Sequence, residues 1–280
     1  MKKWHLVIDV EKCENCNNCF LACKDEHVDN DWQGYAASQP GQGQSWINIH
    51  GKERGEFPLI DVAYLPVPCM HCENAPCMKA SDDGAISRRP DGIVMIDPVK
   101  SRGQKNIVKA CPYGAIQWNE QLGIPQKCTL CAHLLDEGWV KTRCVQACPT
   151  GALSLRQIEE REMNEIAQTE ELEAYRPDLK TSPLVYYKNL YRFTRCFIAG
   201  SIAVRSGDKE ECSDSARVML LNAGNEPIGE SVADNFGDFK FDNLEENSGT
   251  YTIKIDYPGY ATKTIQVDLT QSVYMGTILL

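Results

Sequence analysis

Long apolar runs are missing from this 280-residue chain. Its best candidate, "FIAGSIAV" at residues 197–204, has the length of a strand and falls far short of the roughly 20 residues of a membrane-spanning helix, so no span is expected. Basic blocks are missing too. Lys+Arg number 29 against 39 Asp+Glu, a formal charge of −10, which argues against nucleic acid as a partner. The opening "MKKWHLVIDVEKC" has two lysines, but His5 and Asp9 interrupt its apolar stretch; it makes a poor export signal and a reasonable first strand. The expected location is therefore cytoplasmic. From length alone, two domains are a fair expectation.

Cysteine is abundant, at 14 residues, and its spacing separates three explanations. A disulfide scaffold suits short secreted chains, whereas here the cysteines gather in tight C-x2-C units with no export signal. Zinc needs four ligands, usually as two C-x2-C pairs. Iron–sulfur cubanes prefer three closely spaced thiolates with a fourth from elsewhere, and "CENCNNCFLAC" places Cys13, Cys16, Cys19 and Cys23 at that spacing, x2-x2-x3. In two-cluster ferredoxins the fourth cysteine of such a run serves the other cluster. "CMHCENAPC" supplies Cys69, Cys72 and Cys77, and "CTLCAHLLDEGWVKTRCVQACPTGA" supplies Cys128, Cys131, Cys144 and Cys148 around an insertion.

One further run has lost most of its cysteines. In "SRGQKNIVKACPYGAI", residues 101–116, only Cys111 remains; the three positions before it at cluster spacing are Ser101, Gln104 and Ile107. The second run lacks its fourth cysteine, at Ser81. Gly84-Ala85-Ile86, Gly114-Ala115-Ile116 and Gly151-Ala152-Leu153 each begin three residues after a fourth position, so the four runs read as repeats of one unit. If runs two and three exchange fourth ligands, loss of three ligands from run three abolishes one cluster and idles position 81. Cys111 must stay, because run two still needs it. The remaining pairing follows by elimination. Cluster A is Cys13, Cys16, Cys19 and Cys148; cluster B is Cys128, Cys131, Cys144 and Cys23; cluster C is Cys69, Cys72, Cys77 and Cys111. The expected cofactors are three [4Fe-4S] clusters. Cys196 and Cys212 lie outside every run and read as free structural thiols. His71 and His133, beside cysteines, could be ligands or hydrogen-bond donors; with each cluster already served by four thiolates, a supporting or surface role is expected. Lys100, Lys105 and Lys109 could fill the vacated site, with a solvated face the default reading.

The expected fold class is α+β: a tandem ferredoxin-like [4Fe-4S] domain over 1–155 with an insertion at 24–68, a helical or extended connector over 156–195, and an all-β Ig-like or transthyretin-like sandwich over 196–280. A charged stretch from 156 to 174 reads as a helix ending near Pro177. Beyond it period-two alternation takes over: Tyr251, Ile253, Ile255 and Tyr257 share one face, as do Ile265, Val267 and Leu269. Turn signals divide the segment into about six or seven strands. No residue there suggests catalysis.

Over roughly residues 4–155 the order of runs, together with "CMHCENAPC", "KACPYGAI" and "QKCTLCAH…CVQACPTGA", resembles the iron–sulfur subunits of the molybdopterin oxidoreductase (DMSO reductase) family. Typical members keep four clusters. The departure at Ser81, Ser101, Gln104 and Ile107 is similar to that of the transhydroxylase branch, whose small subunit carries three clusters and a C-terminal sandwich; "DVEKCENCNNCF", "DGIVMIDP", "VYYKNLYRF" and "ADNFGDFKFDNL…GTYTIKIDYPGY" look like that branch. The resemblance implies an electron-transfer subunit of a heterodimer with no catalytic site of its own. The large partner would hold molybdenum bis-pyranopterin guanine dinucleotide, where a hydroxyl group moves between phenols. Two other readings stand beside it: an electron relay for another molybdopterin reductase or phenol hydroxylase, and a structural binding subunit with non-redox clusters.

Overall fold

A segment that is apolar on both sides of its pleat belongs in the middle of a sheet. "KWHLVID" does so as β1 (Lys3–Asp9), almost wholly buried. In the computed structural model, which describes residues 1–280, β1 lies between β8 (Leu153–Ile158), paired antiparallel, and β9 (Val185–Lys188), paired parallel. The stretch from 156 therefore continues as strand before becoming helix. Leu153 and Leu155 alternate against β1, and α6 begins only at Glu160, ending at Thr169. Met163 on that helix is fully buried with Val7 and Leu172.

Between these strands the cysteine runs fold as short helix-and-hairpin repeats. Helix α1 (Asn18–His27) carries Cys19 and Cys23. A hairpin of β2 (Ile47–Glu56) and β3 (Leu59–Pro68) follows. The next repeat is α2 (Pro76–Lys79) with the hairpin β4 (Ile86–Arg88)–β5 (Val94–Ile96), and after it come α3 (Asn106–Lys109) and the hairpin β6 (Gln117–Asn119)–β7 (Ile124–Gln126). Helices α4 (Ala132–Asp136) and α5 (Arg143–Ala147) lead into β8. Gly84, Gly114 and Gly151 have φ of +65°, +64° and +67°, and a Cβ at any of them would meet open space. Glycine is favoured there by the left-handed backbone that turns the chain into each strand, and not by crowding.

The chain divides into two compact units, residues 1–51 with 64–190, and residues 52–63 with 191–280. The second unit holds the tip of the β2–β3 hairpin, α7 (Tyr191–Thr194) and eight strands: β10 (Cys196–Ser206), β11 (Lys209–Cys212), β12 (Arg217–Leu221), β13 (Pro227–Val232), β14 (Asp238–Leu244), β15 (Gly249–Asp256), β16 (Lys263–Leu269) and β17 (Val273–Leu279). One sheet orders β11-β10-β14 with β17 parallel to β10, and the other orders β13-β12-β15-β16. Both contribute to one core, including Ile198, Phe239, Val218, Ile253, Ile255 and Leu269. The alternation read from 251–257 and 265–269 is the side of β15 and β16 that faces this core. Cys196 is buried in it and Cys212 is exposed. The buried Arg54 guanidinium donates to Asp61 and to Asp242 (2.8 Å), and Arg192 donates to Asp61 (2.7 Å), so the hairpin tip is held to β14 by ion pairs. Burial raises Asp61, but hydrogen bonds from Arg54 and Arg192 outweigh it and hold the carboxyl at about 2.

Strands predominate, the helices are short, and none is long and apolar enough to cross a membrane.

Candidate metal centres

The local backbone of each cysteine run turns its amides toward sulfur. In the loops opened by Cys13, Cys69 and Cys128, the third residue is left-handed: Asn15 at φ 54°, His71 at 45° and Leu130 at 52°. For L residues other than glycine this conformation is costly, roughly 1–2 kcal/mol. It points the N–H of that residue back to the first sulfur: His71 to Cys69 at 3.5 Å, Leu130 to Cys128 at 3.3 Å, and Asn15 to Cys13. Such N–H to sulfur bonds favour the thiolate that a metal requires.

Tertiary packing then brings thiols together across the runs. Cys69, Cys72 and Cys77 line one pocket with Cys111, its remaining walls being Met70, Val94, Ile116 and other largely apolar side chains. Cys128, Cys131 and Cys144 line a second with Cys23, beside Leu6, His27 and Trp46. Cys13, Cys16 and Cys148 lie nearer the surface, Cys16 being exposed and Cys13 close enough to Cys16 and Cys148 for their charges to interact, while Cys19 is buried within reach of Cys13 and Cys16. No three Cys, His, Asp or Glu side chains close on a single ion. The thiols stand instead around pocket walls, as ligands of a group several atoms across would. The groups also neighbour one another: Cys19 and Cys148 interact with Cys144, and Cys128 with Cys69.

Burial pushes the Cys19, Cys72 and Cys128 thiols up to about 12 and Cys77 to about 11, and neighbouring thiols add like-charge repulsion. Cys23 and Cys131 are likewise raised well above the ordinary thiol value, burial again being the first cause. Cys148 goes the other way: burial raises it, but hydrogen bonds from the Thr150 hydroxyl and the Leu153 and Ala152 amides outweigh that effect. Packing thiols this closely between apolar walls penalises their anions unless a cationic centre lies between them. The donor set, all sulfur and fed by backbone amides, fits iron–sulfur clusters, which transfer single electrons when bound.

Each histidine beside a cysteine run is engaged through one ring nitrogen and keeps the other without a hydrogen-bond partner, and neither takes the surface role. The His71 ring accepts the Val94 N–H at Nδ1 (3.0 Å), and His133 Nε2 meets Glu26 Oε1 at 2.9 Å while stacking on Trp32 at 4.0 Å. Both are buried. Two supporting elements escaped the sequence. The Thr181 hydroxyl bonds Cys72, and the segment around it receives the Glu73 and Asn74 amides at Ser182 (2.8 Å) and Thr181 (3.0 Å). Arg88 clamps the same loop through the Cys72 carbonyl (2.7 Å). No spacing links residues 181 and 72, so no sequence signal marked them.

The run from Ser101 to Cys111 keeps its winding without its first three ligands. Gly103, the third residue from Ser101, is left-handed at φ 80°, but its N–H goes to the Gly123 carbonyl (2.8 Å). Ile107 and Ser101 are fully buried (0% exposed). Gln104 accepts the Asp82 N–H (2.9 Å) and donates to the Lys100 carbonyl (2.8 Å), and the Ser81 hydroxyl donates to Met78 (2.9 Å). Lys100, Lys105 and Lys109 are exposed, with Lys105 paired to Glu120, so side-chain packing and not lysine fills the vacated position.

Residues 60–158 match the 4Fe-4S dicluster domain family. Over 284 residues, covering 100% of both chains, the protein is 44% identical to the pyrogallol hydroxytransferase small subunit of Pelobacter acidigallici. It is 30% identical over 68% of its length to a putative dimethyl sulfoxide reductase iron-sulfur subunit of Halobacterium salinarum, 80% of which is covered. Against one chain of the anaerobic dimethyl sulfoxide reductase of Escherichia coli it is 35% identical, covering 56% of this protein and 75% of the relative. Cysteine loops of this geometry, repeated through a ferredoxin-type unit, and identity along the full chain make it a member of the iron–sulfur subunits of the molybdopterin oxidoreductase family.

Proposed function

We propose that the chain carries three [4Fe-4S] clusters and serves as the electron-transfer subunit of a heterodimeric transhydroxylase acting on pyrogallol and phloroglucinol. The ligand sets are Cys13, Cys16, Cys19 and Cys148; Cys128, Cys131, Cys144 and Cys23; and Cys69, Cys72, Cys77 and Cys111. The observation that carries the reading is the make-up of the two thiol pockets: each draws three cysteines from one run and the fourth from another. Amides at positions 15, 71 and 130 hold the first sulfur of each set, apolar walls keep water from the inner two, and Thr181 and Arg88 fix the loop around Cys72.

In this reading the large partner binds molybdenum bis-pyranopterin guanine dinucleotide and the phenols, and this chain touches neither. Moving a hydroxyl group between two phenols leaves no net electrons to export, which suits a subunit that has surrendered one cluster. The complex works in the cytoplasm, and the second unit is a β-sandwich of Ig-like or transthyretin-like type that docks the partner. Co-purification of the two subunits tests the heterodimer and its cofactors. The expected result is about twelve iron atoms per copy of this chain, from three four-iron clusters, with molybdenum in the partner and turnover of pyrogallol without added electron acceptor. Strict dependence on an external acceptor would instead make it the relay of a reductase or phenol hydroxylase.

A further inference from the structure

Lys127 joins β7 to Cys128 and is 3% exposed. A lysine that deeply buried is expected to be paired with an anion. Its ammonium instead donates to two carbonyls, those of Val94 and Cys128 (3.0 Å to the latter). Those carbonyls belong to the walls of two different thiol pockets: Val94 lines the one containing Cys69, Cys72, Cys77 and Cys111, and Cys128 lines the other. The positive charge acts on both sides, favouring the thiolates of Cys77 and Cys111 and that of Cys128. In the third group, Cys13 and Cys19 have other thiols, Cys144 among them, as their principal charged neighbours.

We propose that Lys127 is a positioning residue for electrons: lodged between the Val94 and Cys128 carbonyls, its fixed charge raises the reduction potentials of the two clusters that flank it and leaves the Cys13 cluster nearly unaffected. The inference rests on the ligand sets proposed above. Each cluster takes up one electron, supplied by the partner's molybdenum centre or by dithionite, with no proton transferred. Every such electron adds one negative charge, which the ammonium stabilises in a site from which water is excluded. A buried lysine directly before the cysteine run thereby supplies the counter-charge that no carboxylate partner consumes.

The test is an EPR-monitored redox titration of the holoprotein with K127M, K127Q and K127R, each assayed for iron. Met removes the charge and the hydrogen bonds, and Gln removes the charge while keeping donors for the same carbonyls; should K127M lose iron, K127Q carries the test. The expected result in the neutral variants is full iron and a drop in two of the three potentials by at least about 59 mV, a tenfold change in the one-electron equilibrium, with K127R restoring both. Full iron with all three potentials unmoved overturns the proposal alone. Iron well below twelve in the unsubstituted protein overturns the ligand sets as well, so the two failures are distinguishable.

Discussion

The loops that begin at Cys69 and at Ser101 have the same backbone plan and opposite metal capacity. In the first, the left-handed His71 returns its amide to a sulfur; in the second, the left-handed Gly103 sends its amide to the Gly123 carbonyl. Beyond that point the first closes on a thiol pocket, while the second buries Ile107 and stitches Gln104 to Asp82. The Ser101 loop is held by turns at three-residue spacing, Gln104 N–H to Ser101 (3.0 Å) and Ile107 N–H to Gln104 (3.3 Å). A metal centre would neutralise thiolates held in such a pocket. Without thiols, a well-packed isoleucine performs the structural part of the task.

The comparison is most easily broken at Cys111, the only cysteine left in the second loop. C111A is expected to lower iron from about twelve to about eight per chain, measured by metal analysis, while S81C leaves it unchanged because position 81 has no cluster to serve. If C111A retains all its iron, the exchange between the two loops is wrong. The reverse experiment restores the lost ligands: S81C, S101C, Q104C and I107C together should raise iron to about sixteen after anaerobic reconstitution, since the turns that present those positions persist. Ile107 itself can be weighed by I107A, which should cost about 2–5 kcal/mol of stability, the range for a fully buried aliphatic side chain, read from chemical denaturation of the holoprotein with iron content unchanged. Smaller again is Q104A, which deletes the link to Asp82 and should cost about 1 kcal/mol. G103A should cost a similar amount, about 1–2 kcal/mol, because a Cβ meets nothing there and only the left-handed backbone is penalised.

Much of the site was legible because cluster ligation is local. Three thiolates on one cubane demand fixed short spacing, so Cys13, Cys69 and Cys128 announced their loops, and the vacancy at 101, 104 and 107 was as readable as the ligands. Period-two alternation likewise marked β15 and β16, since a strand with one dry face must alternate. The supporting groups were not legible. Thr181, Arg88 and Lys127 owe their roles to chain segments 16 to more than 100 residues away, and a threonine, an arginine or a lysine carries no pattern of its own. The insertion was equally opaque: read as one element from 24 to 68, it gives residues 52–63 to the second unit, where Arg54 finds Asp242.

By itself, then, the order of amino acids determined which thiols belong to loops of cluster geometry, which loop had lost them, and where alternating strands replace cysteines, because each depends on neighbours within a few residues. Only the tertiary structure decided what fills the abandoned position and that a buried ammonium lies between two of the pockets. Those are matters of packing and of charge in a dry interior, set by distance in space and not by distance along the chain.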